Sequence, residues 1–134
     1  MPEGEEIACG SCETIIWPEP CTFCEIVAGQ RAAEWVLMPN YWPDAVAFLS
    51  KNPLTENHTL VVPKVHVRDF AANPDVSATV MKRASELMQF SPRPMVLFSL
   101  RGKEAGQRVA HLHLNLVPWS ARSDRAGQMV RAFS

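Results

Sequence analysis

The residues best suited to chemistry are histidines and cysteines at short, regular spacings. His111 and His113 stand in the stretch 110–118, where polar and apolar residues alternate strictly. Alternation with period two is the signature of a strand with one buried face. Leu112, Leu114 and Leu116 are expected in the core. His111, His113 and Asn115 then share the opposite face, with neighbours roughly 6.5–7 Å apart. A neutral imidazole is a good nucleophile toward phosphorus when a hydrogen bond holds its other nitrogen and fixes the tautomer. The other two histidines, His58 and His66, bracket a β-branched run that Pro63 stops. Cys21 and Cys24 form a CxxC entering a short helical pattern that Gly29 ends. That spacing supplies half of a zinc site, and the positive end of a helix favours thiolates. A second CxxC, Cys9 and Cys12, lies upstream. The four cysteines could therefore form an all-cysteine zinc knuckle, or the upstream pair could be free thiols or a disulfide. Ahead of the histidine pair runs the loop Ala105, Gly106, Gln107, Arg108. Glycine there lets backbone N–H groups approach an anion closely, with Gln107 expected to donate to a phosphate oxygen. The plain alternative is an ordinary surface turn.

Several elements must position these groups. Candidate strands are Glu34–Met38, Ala45–Leu49, Thr59–Pro63, Met95–Leu100 and Leu112–Val117, with Pro39, Pro43 and Pro53 as punctuation. One long helix is well signalled: Asn73 as N-cap, Pro74 at the first position, and an apolar stripe of Val76, Val80, Ala84, Leu87 and Met88. Helix, three strands, helix, two strands suits an α+β fold with an antiparallel five-stranded sheet and two helices. Residues 1–20 are acidic and proline-bearing and read as an N-terminal extension, with the compact domain over 21–134.

At 134 residues the chain has room for one domain with a modest core. A net charge of −1 and a pI near 6.4 leave no electrostatic footprint for nucleic acid. No apolar run reaches membrane-spanning length. The acidic start lacks the basic-then-apolar order of a secretory signal, so a cytoplasmic location is expected. There, paired cysteines point to metal or redox chemistry more than to structural disulfides.

The order CxxC, then Asn57-His58-Thr59-Leu60-Val61-Val62-Pro63-Lys64-Val65-His66, then Ala105-Gly106-Gln107, then His111-x-His113-x-Asn115 resembles the histidine-triad (HIT) family of nucleotide hydrolases and transferases. The resemblance runs from about Cys21 to Trp119. It implies a homodimer with a continuous two-protomer sheet. It implies a nucleotide or nucleotide-conjugate substrate attacked at the α-phosphorus, with His113 as covalent nucleophile and His58 buttressing the site. It places Phe23, Ile26 and Phe48 in an apolar base pocket. It also implies one structural Zn2+ per chain on Cys21, Cys24, His66 and His111, in competition with the all-cysteine site.

This chain departs from the family pattern at several places. Asn115 stands where hydrolases usually carry a third histidine; an amide can donate to a phosphoryl oxygen but cannot shuttle a proton. Transferase branches carry an amide, Gln, there. Ser50 replaces an Asp that grips ribose hydroxyls, Leu100 replaces an Asn, and Arg108 replaces a frequent Ser. Arg108 would either pair with a phosphate or project into solvent. The resemblance thus implies a divergent nucleotidyl transferase or hydrolase, with a catalytically weak or inactive zinc-stabilised binding module as the rival.

Overall fold

The computed structural model describes residues 21–120 together with Gln128 and Arg131. The expected extension, with Cys9 and Cys12, lies outside the described residues. The elements are helix α1 (Thr22–Val27), strands β1 (Ala45–Leu49) and β2 (Thr59–Pro63), helix α2 (Pro74–Met88), strand β3 (Met95–Phe98), a 3-10 turn at Lys103–Ala105 and strand β4 (Leu114–Pro118). The strands form one antiparallel sheet in the order β1-β2-β4-β3.

Among the described residues the sheet has four strands, not five. The segment expected as the first strand, Glu34–Met38, contributes only a bridge between Trp35 and Phe48. Two backbone bonds hold it, Val36 N–H to the Ala47 carbonyl at 3.0 Å and Leu49 N–H to the Glu34 carbonyl at 2.9 Å. The Met38 carbonyl then turns to accept from Tyr41 N–H, which ends any ladder ahead of Pro39. A second difference is at β4. The ladder starts at Leu114, because Leu112 N–H leaves the sheet to bond the Val67 carbonyl at 2.8 Å. His111 and His113 therefore stand just before the strand rather than within it.

Period-two patterning divides the core in two. One face of the sheet carries Ala45, Ala47, Val61, Leu114 and Leu116, packed with Leu112 just ahead of β4, with Trp42, and with Val80 and Ala84 of α2. The other face carries Val46, Phe48, Leu60 and Val62, packed with Cys21, Phe23 and Ile26 from α1 and its cap. The long helix begins as its sequence dictates: the Asn73 side chain accepts from Asp75 and Val76 N–H, and Pro74 opens the first turn. Arg83 of α2 forks onto the Asp44 carboxylate at 2.8 and 3.0 Å and so ties the helix to the start of β1.

Candidate active site and metal centre

The α1 face of the sheet holds both chemical clusters. His113 donates its Nδ1–H to the His111 carbonyl at 2.8 Å, which fixes the tautomer and leaves Nε2 as the lone-pair nitrogen. Burial keeps its pKa below the ordinary histidine value, so the ring is neutral at pH 7. Phe23 stands edge-on to it, with ring centroids 5.0 Å apart.

His58, at the head of β2, is buried with both nitrogens engaged. Its Nδ1 accepts from Leu54 N–H at 3.0 Å, so Nε2 carries the proton and donates to the Asn115 carbonyl oxygen at 2.9 Å. Burial, opposed by the Asn115 hydrogen bond, lowers the His58 pKa. The Asn115 amide nitrogen donates to the Phe98 carbonyl at 3.3 Å, which leaves it one further N–H. The amide at this position is thus oriented by a histidine behind it.

These groups border a cleft of about 640 Å³. Phe23, Ile26, Phe48, Ser50, His58, Gly106, Arg108, His113 and Asn115 all line it, as does Leu100. Gly106 has φ +104°, and a Cβ there would come within 3.3 Å of Leu100, so the turn over the cleft requires glycine. Arg108 is exposed at the rim. Ser50 uses its hydroxyl oxygen to accept from Asn52 N–H at 3.1 Å.

Gln107 is the exception. Its buried amide faces the loop interior, not the cleft. Nε2 donates to the carbonyls of Arg68 and Val109 at 2.8 and 3.0 Å, and Oε1 accepts from Gly102 N–H at 2.8 Å. With those bonds made it does not reach a phosphate, and it acts instead as the knot that closes the loop. The sequence reading also missed Phe98, Lys51 and Asn52, which line the cleft. Phe98 lies opposite Asn115 in the β3–β4 register, and a register between strands distant in sequence leaves no local signal.

Cys21, Cys24, His66 and His111 converge beside the cleft, with all four ligand atoms within 4.8 Å of one another. His66 Nδ1 lies 3.2 Å from His111 Nδ1 and 3.3 Å from Cys24 Sγ; His111 Nδ1 lies 3.5 Å from Cys21 Sγ. Ligands at about 2.0–2.3 Å from a tetrahedral ion are separated by roughly 3.3–3.8 Å, so the set fits a metal. His111 Nε2 is spent on the Pro63 carbonyl at 2.9 Å, which presents Nδ1 to the cluster. Cys21 caps α1 and its Sγ accepts from Cys24 N–H at 3.4 Å. Contact with Cys24 foremost, then with His111 and His66 against the opposing effect of burial, holds the Cys21 thiol far below its ordinary pKa. Two thiolates and two imidazoles are a donor set for a closed, structural ion, and an ion held there would tie α1 to the segments after β2 and before β4.

Comparison with known proteins agrees with this geometry. Residues 40–121 match the HIT domain model. The Protein hit of Bacillus subtilis is 31% identical over 115 residues, 81% of this chain and 77% of that protein. Adenosine 5'-monophosphoramidase of Saccharomyces cerevisiae is 29% identical over 82% of this chain and 68% of its own length. A HIT family hydrolase from Legionella pneumophila is 30% identical, covers 75% of this chain and 94% of its own, and superposes with a TM-score of 0.67. With its paired histidines, cleft and α+β sheet in that arrangement, the chain belongs to the histidine-triad (HIT) family.

Proposed function

We propose that the chain is a nucleotide-binding enzyme that acts at the α-phosphate through a nucleotidyl-histidine intermediate. The observation that carries this reading is His113: neutral, with Nδ1 locked by the His111 carbonyl and Nε2 left as the nucleophile beside the cleft. Its Nε2 lone pair attacks the α-phosphorus. A P–N bond forms, the bond to the leaving group breaks, and the leaving group departs with the bonding electrons and takes a proton from solvent. Water or another acceptor then attacks the phosphorus and gives up its proton to solvent, the P–N bond breaks and neutral His113 returns. Phe23, Ile26 and Phe48 supply the apolar walls for a base. The spare N–H of Asn115, aimed by His58, steadies a phosphoryl oxygen, and the exposed Arg108 meets phosphate charge at the rim. Gln107 serves by holding the loop that Gly106 turns.

The yeast relative is named for phosphoramidate chemistry and the Legionella relative as a hydrolase, which supports the reaction class. Asn115 argues for transfer over hydrolysis, since a neutral amide neither releases a proton to a leaving group nor takes one from water at pH 7. The four-ligand centre holds zinc, the ion that two thiolates and two imidazoles select in a tetrahedral set. Such a centre suits a reducing compartment such as the cytoplasm. β3, at the edge of the sheet, pairs in a homodimer.

The test is intact mass after mixing the protein with adenosine 5'-phosphoramidate. A nucleotidyl adduct on the natural protein, absent from His113→Ala, carries the reading. Nucleotide binding with no adduct assigns the chain instead to a zinc-stabilised binding module, a reading that the engaged amide of Asn115 and the uncharged Ser50 favour.

A further inference from the structure

The metal centre and the nucleophile meet in one peptide unit. The carbonyl of His111 accepts the His113 Nδ1–H, and the N–H of that same unit, on Leu112, donates to the Val67 carbonyl. Val67 follows the ligand His66, and His111 is itself a ligand. Both sides of the unit are therefore anchored at the four-residue cluster. The unit precedes β4, so the sheet ladder does not hold it. Phe23, between the two cysteines, stands edge-on to both rings, 5.9 Å from His111 and 5.0 Å from His113. The six-residue helix that follows Cys21 is far too short to persist without tertiary anchors.

We propose that the metal centre is the positioning device of the nucleophile: metal on Cys21, Cys24, His66 and His111 sets the 111–112 peptide unit, and that unit sets the tautomer and aim of His113. His66 and His111 are then positioning residues rather than catalytic ones. The inference rests on the reading of His113 as nucleophile. Metal loss leaves the sheet and α2 in place, since their core lies on the opposite face, but it frees α1 and the unit that steers the ring. Outer groups that orient reactive ligands typically affect activity by about 10–100-fold.

The experiment compares zinc-loaded protein, protein stripped with a chelator under reducing conditions, His66→Ala and His66→Cys. Three quantities are read: circular dichroism, the ring 15N shifts of His113, and the single-turnover rate of adduct formation with adenosine 5'-phosphoramidate. The expected result for stripped protein and His66→Ala is a retained sheet spectrum, His113 shifts averaged between tautomers, and a rate lower by about 10–100-fold. Added Zn2+ restores stripped protein. His66→Cys, which keeps a four-ligand set, retains the single-tautomer shifts. Unchanged His113 shifts in metal-free protein overturn the proposal. Collapse of the whole fold on metal removal also overturns it, since the centre would then be a general folding element. If zinc-loaded protein forms no adduct while the shifts respond as expected, the positioning role stands and the reading of the reaction fails.

Discussion

The two faces of the sheet are built on different principles. The α2 face is held chiefly by apolar packing: a helix of 15 residues lays Val80 and Ala84, both fully buried, on Leu112, Leu114 and Val61, with the Arg83–Asp44 pair at its edge. The α1 face is covered by a helix of six residues, a cysteine–histidine cluster and a cleft. Apolar packing needs area, which a short helix lacks, and a cleft removes more of it. A metal bound at the four-residue cluster would replace area with a few strong bonds, and so let a small domain keep the cleft on that face open. The same alternating segment, 111–116, serves both faces: its leucines pack toward α2, and its polar residues border the cleft and the cysteine–histidine cluster.

The largest expected effect separates chemistry from structure on the open face. His113→Ala should lower turnover of any substrate by about 10³-fold or more, with thermal stability and nucleotide binding nearly unchanged. Titration calorimetry beside steady-state rates checks this; an alanine variant that keeps a substantial share of activity removes His113 as nucleophile. On the closed face the effect should be the converse. Leu114, 1% exposed and central to the packed cluster, should cost about 2–5 kcal/mol when replaced by Ala, measured by urea unfolding. Its metal content should stay that of the natural protein.

Asn115→His tests the boundary between transfer and hydrolysis. A proton-shuttling group at that place should raise hydrolysis of an adenosine phosphoramidate by tenfold or more, toward the roughly 10²–10⁴-fold that general acid–base groups contribute. Vigorous hydrolysis by the natural protein that falls in the variant would reverse the assignment of Asn115. The smallest effect is in pH. Burial lowers the pKa of His58 and His113, so both stay neutral in the folded chain while their unfolded counterparts take protons below about pH 6.5. Stability should therefore fall as pH drops below about 6.5, and adduct formation should persist into that range until His113 itself is protonated. A single-turnover profile that declines already above pH 7 would contradict a neutral, buried nucleophile.

Much of this was legible in the chain because the signals are local. Asn73 and Pro74 announce α2, and the alternation from Leu112 to Leu116 places the leucines against it. The grouping of Cys21, Cys24, His66 and His111 came through resemblance to a family, because residues up to 90 positions apart share no local pattern. Glu34–Met38 misled because a short apolar run bounded by Pro39 predicts an extended chain, whereas a strand needs a partner on the ladder, and the turn after Met38 withdraws it. Gln107 misled because a glutamine beside a glycine in a loop can face either way. Only the carbonyls of Arg68 and Val109 and the N–H of Gly102 decide that it faces inward.

The sequence by itself determined that the leucines of 112–116 are inside, where the long helix starts, and which side chains have the chemical type of a nucleophile or ligand. Periodicity, caps and chemical type are properties of neighbours along the chain. The tertiary structure alone decided that His111 ends before the sheet begins, that its carbonyl holds His113, and that His58 aims Asn115. Those are matters of hydrogen-bond direction between segments 2 to 57 residues apart, and a direction exists only once the backbones that carry it have packed.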